Sequence, residues 1–161
     1  SLWLIATTLI VFGVILGLAD TYGKRERTLD QLSNRHGIMY GLAQALALMP
    51  GVSRSGATIA MGRFLGYKRE AALRYSFLLA LPAVFGSGFY QLQGAISSTE
   101  SNVFSLAETA VATGIAFVVG YLVIAWLLKF VSTKSFMPFI IYRIALGMLL
   151  LILLGTGVIS A

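Results

Sequence analysis

Residues 49–58 of this 161-residue chain read Met-Pro-Gly-Val-Ser-Arg-Ser-Gly-Ala-Thr, a polar stretch between two apolar segments. It brings together an arginine (Arg54), three hydroxyls (Ser53, Ser55, Thr58) and two glycines (Gly51, Gly56). Small polar residues around glycines, followed by a helix start, turn backbone N–H groups onto an anion. Arg54 adds a permanently charged, forked donor whose geometry suits phosphate oxygens. The chemistry that fits is the binding of a phosphate or a similar anion. A plainer reading makes Ser55 a helix N-cap, with Thr58 three residues on, and Arg54 a structural arginine that ties down carbonyls. The two are compatible, because a capped helix start still presents free N–H groups. Gly51 and Gly56 permit the turn, and Pro50 ends the preceding arm.

The elements that must position this loop are apolar. The chain is 58% hydrophobic and only 11% charged, with mean hydropathy +0.86, whereas a soluble domain carries about 25% charged residues. Residues 2–19 hold no charge and reach about 27 Å as helix, enough for a bilayer core of about 30 Å. Residues 20–36 form a basic loop with Lys24, Arg25, Arg27 and Arg35. Residues 37–66 comprise two short apolar arms around the polar stretch, neither long enough to cross alone. Further spans are expected at 71–96 (with Pro82 inside), 106–128 and 138–159. If 37–66 crossed as one helix, the basic clusters on either side would face opposite ways. If it enters and returns as a hairpin, both share a face with Lys129 and Lys134, while Glu100 faces the other way, as the positive-inside rule prefers. The expected fold is therefore an all-α integral membrane domain over 1–161, with four spans and one re-entrant helix–loop–helix hairpin. The hairpin tip then sits near mid-membrane, where non-helical backbone must be buried in protein or line a watery cavity. A charge there costs at least ~2.5–3.5 kcal/mol, which is why Arg54 implies a partner.

Net charge is +6, but once the apolar runs are assigned to lipid no basic face is left for nucleic acid. The absence of cysteine removes thiolate chemistry, disulfides and Cys-ligated metals. The chain opens at Ser1 inside an apolar run with no basic segment before it, which reads as part of a longer protein rather than a signal peptide. His36, the one histidine, reads as a polar residue at the start of a helix on the membrane surface. Glu26 and Asp30 read as a solvated, charge-balanced loop rather than a metal site. Arg63 either lines the cavity or snorkels to the basic face, and Arg143 is near enough to the basic end of the last span to snorkel. Gln44 is expected to hydrogen-bond another helix, and Glu70 and Arg74 to pair at i,i+4. Gly13-x3-Gly17 and Ala112-x3-Ala116-x3-Gly120 are small-residue faces suited to close helix packing.

The pattern Pro50-Gly51-x-Ser53-Arg54-Ser55-Gly56-x-Thr58 resembles the signature of the undecaprenyl-diphosphate phosphatase family, the bacitracin-resistance membrane phosphatases of bacteria. The similarity extends through Gly62-Arg63-x-Leu65-Gly66, Arg69-x-Ala71-Ala72 and Ser76-Phe77-Leu78-Leu79-Ala80-x-Pro82. It implies an enzyme of the bacterial plasma membrane that hydrolyses the lipid carrier diphosphate to the monophosphate, recycling it for peptidoglycan synthesis. It also implies two inverted repeats, each with a re-entrant hairpin, whose tips meet at the site. Carried over, Arg54 neutralises the diphosphate, Ser53 and Thr58 hydrogen-bond it, and Ser55 with the loop amides around Gly51 and Gly56 completes the cradle. The family's glutamate-rich motif and histidine belong to the first half and have no counterpart here, so this chain looks like the second repeat. The divalent metal the resemblance implies, Mg or Ca, is then ligated by the N-terminal half, with no metal ligand in this chain. The implied partners are a polyprenyl diphosphate lipid and that N-terminal half; a homodimer is left open. A transporter or flippase of a phosphorylated lipid or other anion is the alternative, since interrupted helices meeting at mid-membrane serve transport equally.

Overall fold

The structure, a computed structural model, describes residues 1–97 and 105–159. The described residues form six helices, with no strand. Helix α1 (Leu2–Tyr22) runs three residues past the expected span, because Asp20 is buried and paired rather than part of a solvated loop. Helix α2 (Asn34–Ala45) starts at Ser33, whose hydroxyl accepts from the His36 N–H, and tightens into a 3₁₀ turn at Leu46–Leu48. The loop at 49–53 leads into α3 (Arg54–Phe64). Helix α4 (Arg69–Ser97) continues through Pro82. Helix α5 (Leu106–Thr133) is started by a reciprocal cap between Ser105 and Glu108, and α6 (Met137–Gly155) by a proline in its first turn, where a missing N–H costs nothing. The expected Glu100 loop lies outside the described residues.

The hairpin α2–α3 enters and returns at the same end of the bundle. At its base, His36 Nδ1 lies 2.8 Å from the Tyr67 hydroxyl, which donates to the Gln31 carbonyl at 3.2 Å. Because Tyr67 spends its proton on Gln31, His36 donates from Nδ1. The strand-like stretch after α1 is laced to the α3–α4 link by Arg27 N–H to Gly66 O and Lys68 N–H to Arg27 O. Lys24, Arg25, Arg27 and Lys68 therefore gather at one end.

That end also holds the core: Leu16 and Ala19 of α1, Tyr40 of α2, Ile59 of α3, Leu73 of α4 and Ile140 of α6. Asp20 staples it. Its carboxylate accepts from Arg63 Nε at 3.3 Å, from Arg69 at 2.6 and 3.0 Å, and from the Phe136 N–H at 3.2 Å. Arg63 is fully buried and also donates to the carbonyls of Asp20, Gly23, Lys24 and Tyr67. It neither lines a cavity nor snorkels; it caps the end of α1.

Helices α1 and α6 pack through small residues, Gly13 against Ile144, Gly17 against Ile140 and Gly147 against Ile10, so the first expected seam is present. The second is not formed within the described residues: a Cβ on Gly120 would meet no other element within 4 Å, and α5 is largely exposed up to its last turns. Glu70 and Arg74 make no ion pair among the described residues. Gln44 Oε1 is buried without a hydrogen bond there, contrary to its expected role.

Candidate functional site

The polar loop is held by its carbonyls. The Thr8 hydroxyl of α1 reaches Pro50 O at 2.7 Å. Arg143 Nη2, from α6, donates to Gly51 O at 3.0 Å and Val52 O at 2.9 Å. Val52 is fully buried and anchors the turn. Gly51 takes φ +90°, and a Cβ on it would meet the Thr8 hydroxyl at 2.1 Å. With carbonyls drawn inward, the N–H groups of Ser53, Arg54 and Ser55 at the head of α3 take no hydrogen bond among the described residues. This is the polarity an anion requires: acceptors turned away, donors and the positive end of the helix turned outward.

The N-cap is Ser53, two residues earlier than the expected Ser55. Ser53 adopts φ 65°, ψ 115°, and its hydroxyl accepts from the Gly56 N–H at 3.3 Å. A non-glycine residue with positive φ is strained and tends to mark a functional turn. Ser55 is left in the first turn, its hydroxyl 3.4 Å from that of Ser53. Gly56 is buried, and a Cβ there would meet Arg143 Nη1 at 2.4 Å; only glycine lets that guanidinium lie against the helix head.

Ser53 and Ser55 are thus brought together with Gly56 and Arg143 around one cavity of about 190 Å³. Arg54 is partly exposed at the head of α3 and makes no ion pair among the described residues. Thr58 stands apart. It is fully buried, and its hydroxyl is engaged with Arg54 O at 2.9 Å, Ser55 O at 3.2 Å and the Ser76 hydroxyl of α4.

Arg143 is the residue the sequence misplaced. It is buried rather than snorkelled, and its Nε has no hydrogen bond among the described residues. The signal that points to it is depth: two turns into α6 is level with a hairpin tip placed at mid-membrane. The donors gathered here are hydroxyls, amides and guanidinium groups, which do not fit a divalent cation. No group of three or more His, Asp or Glu side chains able to hold one occurs among the described residues.

Four of the helices (α1, α4, α5, α6) are long and apolar enough to cross a membrane, and α2 and α3 form a hairpin whose tip offers donors to an anion. This defines a multi-pass, all-helical membrane protein. Comparison with known proteins is specific: residues 1–149 match the model of the Bacitracin resistance protein BacA family, and the chain belongs to that family. The undecaprenyl-diphosphatase of Renibacterium salmoninarum is 61% identical over all of this chain and 58% of its own length. That of Pseudarthrobacter chlorophenolicus is 62% identical over all of this chain and 58% of its own. Undecaprenyl-diphosphatase 2 of Agrobacterium fabrum is 61% identical, with 57% of its length covered. The chain thus spans less than three fifths of the curated relatives it matches.

Proposed function

We propose that this chain is the anion-binding half of a plasma-membrane phosphatase that hydrolyses a polyprenyl diphosphate, undecaprenyl diphosphate, to the monophosphate and phosphate. The observation that carries the reading is the loop leading into α3, where the Pro50, Gly51 and Val52 carbonyls are bonded inward and the Ser53, Arg54 and Ser55 N–H groups are free among the described residues, at a cavity that Arg143 also lines. Arg54 neutralises the diphosphate, Ser53 and Ser55 hydrogen-bond its oxygens, and the α3 amides accept the charge that develops on the departing phosphate. Arg143 holds the loop in that shape. Thr58, assigned a hydrogen bond to the diphosphate by resemblance, has its hydroxyl engaged by α3 and α4; its role is to fix the head of α3. The hairpin is re-entrant, with the loop at mid-membrane and the basic end cytoplasmic.

The donor set here does not suit a metal; a Mg or Ca ion, if the reaction uses one, would be held by carboxylates of the N-terminal half. The relatives' names support the phosphatase over transport, and nothing in the comparisons favours a transporter or flippase. The test is phosphate release from a C55 isoprenyl diphosphate by the full-length protein in detergent. Release supports the proposal; a folded protein that releases none, yet moves the lipid across vesicles, replaces it with transport.

A further inference from the structure

The cavity at the polar loop is amphipathic, and most of its wall is not used by phosphate chemistry. Beyond Ser53, Ser55 and Arg143 it continues along α3 between hydrocarbon walls from α4, α5 and α6. Its floor is closed by Ile59, Leu73 and Phe136, all buried. Its side is formed by Phe77, Leu127 and Phe139, which are half-buried. Tyr142, on the exposed face of α6, stands at the open side.

A diphosphate seated on the loop would thus have an apolar slot directly against it, opening sideways between helices. The volume, about 190 Å³, is far too small for a long prenyl chain. Only the segment nearest the diphosphate fits, and the rest must leave the cavity past Tyr142. Branched, unsaturated hydrocarbon against phenylalanine edges and a leucine gains by apolar burial and by contact with the ring faces.

We infer that the slot walled by Phe77, Leu127 and Phe139 binds the first isoprene units of the lipid substrate, and so selects for the prenyl group next to the diphosphate rather than for chain length. This rests on the phosphatase reading above.

The experiment is steady-state hydrolysis by the full-length protein in detergent, with C15 and C55 isoprenyl diphosphates as substrates. Two variants are read against the parent: Phe139→Ala, which empties part of the wall, and Leu127→Trp, which fills the slot without opening a cavity. Each is expected to raise KM about tenfold, the loss that partial removal of one buried aromatic or aliphatic contact implies. The rise is the same for C15 and C55, and kcat stays within about twofold of the parent. Leu127→Trp carries the test if Phe139→Ala does not fold.

A KM unmoved in Leu127→Trp overturns the inference, as does a rise confined to C55, which would place tail recognition elsewhere. A fall in kcat matching the fall in kcat/KM also overturns it, since that marks damage to the loop. No hydrolysis of either substrate by the folded parent instead overturns the phosphatase reading itself.

Discussion

Gly56→Ala separates a helix governed by propensity from one governed by what lies against it. Alanine is favoured over glycine inside a helix by about 1 kcal/mol, so propensity alone predicts a more stable protein. At this position the added Cβ would stand 2.4 Å from Arg143 Nη1 and 3.3 Å from the Ser53 hydroxyl. The guanidinium is the far end of a flexible side chain, but it is buried, and its Nη2 donates to the Gly51 and Val52 carbonyls. Moving it forfeits one or both bonds, each worth about 1.5–3 kcal/mol because the donor is charged. After the propensity gain, the net loss is about 0.5–2 kcal/mol if one bond breaks and about 2–5 kcal/mol if both do. Thermal unfolding of the full-length protein followed by tryptophan fluorescence reads the stability, and phosphate release from a C55 diphosphate reads the loop. Gly41→Ala, in mid-α2 with no atom within 4 Å of the added Cβ, is the control expected to stabilise. A Gly56→Ala protein that is more stable than its parent and fully active would refute the role given to Arg143.

Asp20→Asn leaves Arg63 and Arg69 facing one another in a buried site; a loss of about 3–5 kcal/mol in chemical unfolding is expected, and a loss below 1 kcal/mol would show the staple to be dispensable. Tyr40→Phe removes a buried hydroxyl that has no hydrogen bond among the described residues, so stability should hold or rise by up to about 1–3 kcal/mol; a fall in melting temperature would reveal a partner for it. Burial, together with Arg27 and Arg35, holds His36 below its usual 6.5. The unfolded chain then binds a proton that the folded chain does not, so stability falls as pH drops below 6.5. His36→Gln should flatten that slope in pH-dependent melting, and an unchanged slope would assign it to other groups.

What the sequence made legible was whatever periodicity and hydropathy control. The four long apolar helices, the helix–loop–helix at 34–64 and the gathering of Lys24, Arg25, Arg27 and Lys68 at one end all follow from run lengths and charge placement. The position of the N-cap did not, because Ser53 and Ser55 are chemically alike and only the folded loop, in which the Ser53 hydroxyl takes the Gly56 N–H, decides between them. Arg143, Arg63 and Asp20 were misread for a shared reason. A charged residue near the end of an apolar run reads as surface, whereas here each has its partner 43 or more residues away in the chain, or among loop carbonyls. Such long-range pairings leave no local pattern. Thr58 sits in the motif by spacing, yet one helical turn past the loop its side chain faces α4.

The central claim is that the 50–56 loop binds the diphosphate through Arg54. Its most direct test is phosphate release from a C55 isoprenyl diphosphate by the full-length protein, compared between the parent and Arg54→Ala. Arg54 makes no ion pair among the described residues, so the variant should fold with an unchanged melting temperature and lose about 10²–10³-fold in kcat/KM, as removal of one preorganised charge donor does elsewhere. A folded Arg54→Ala protein with parental kcat/KM would contradict the account.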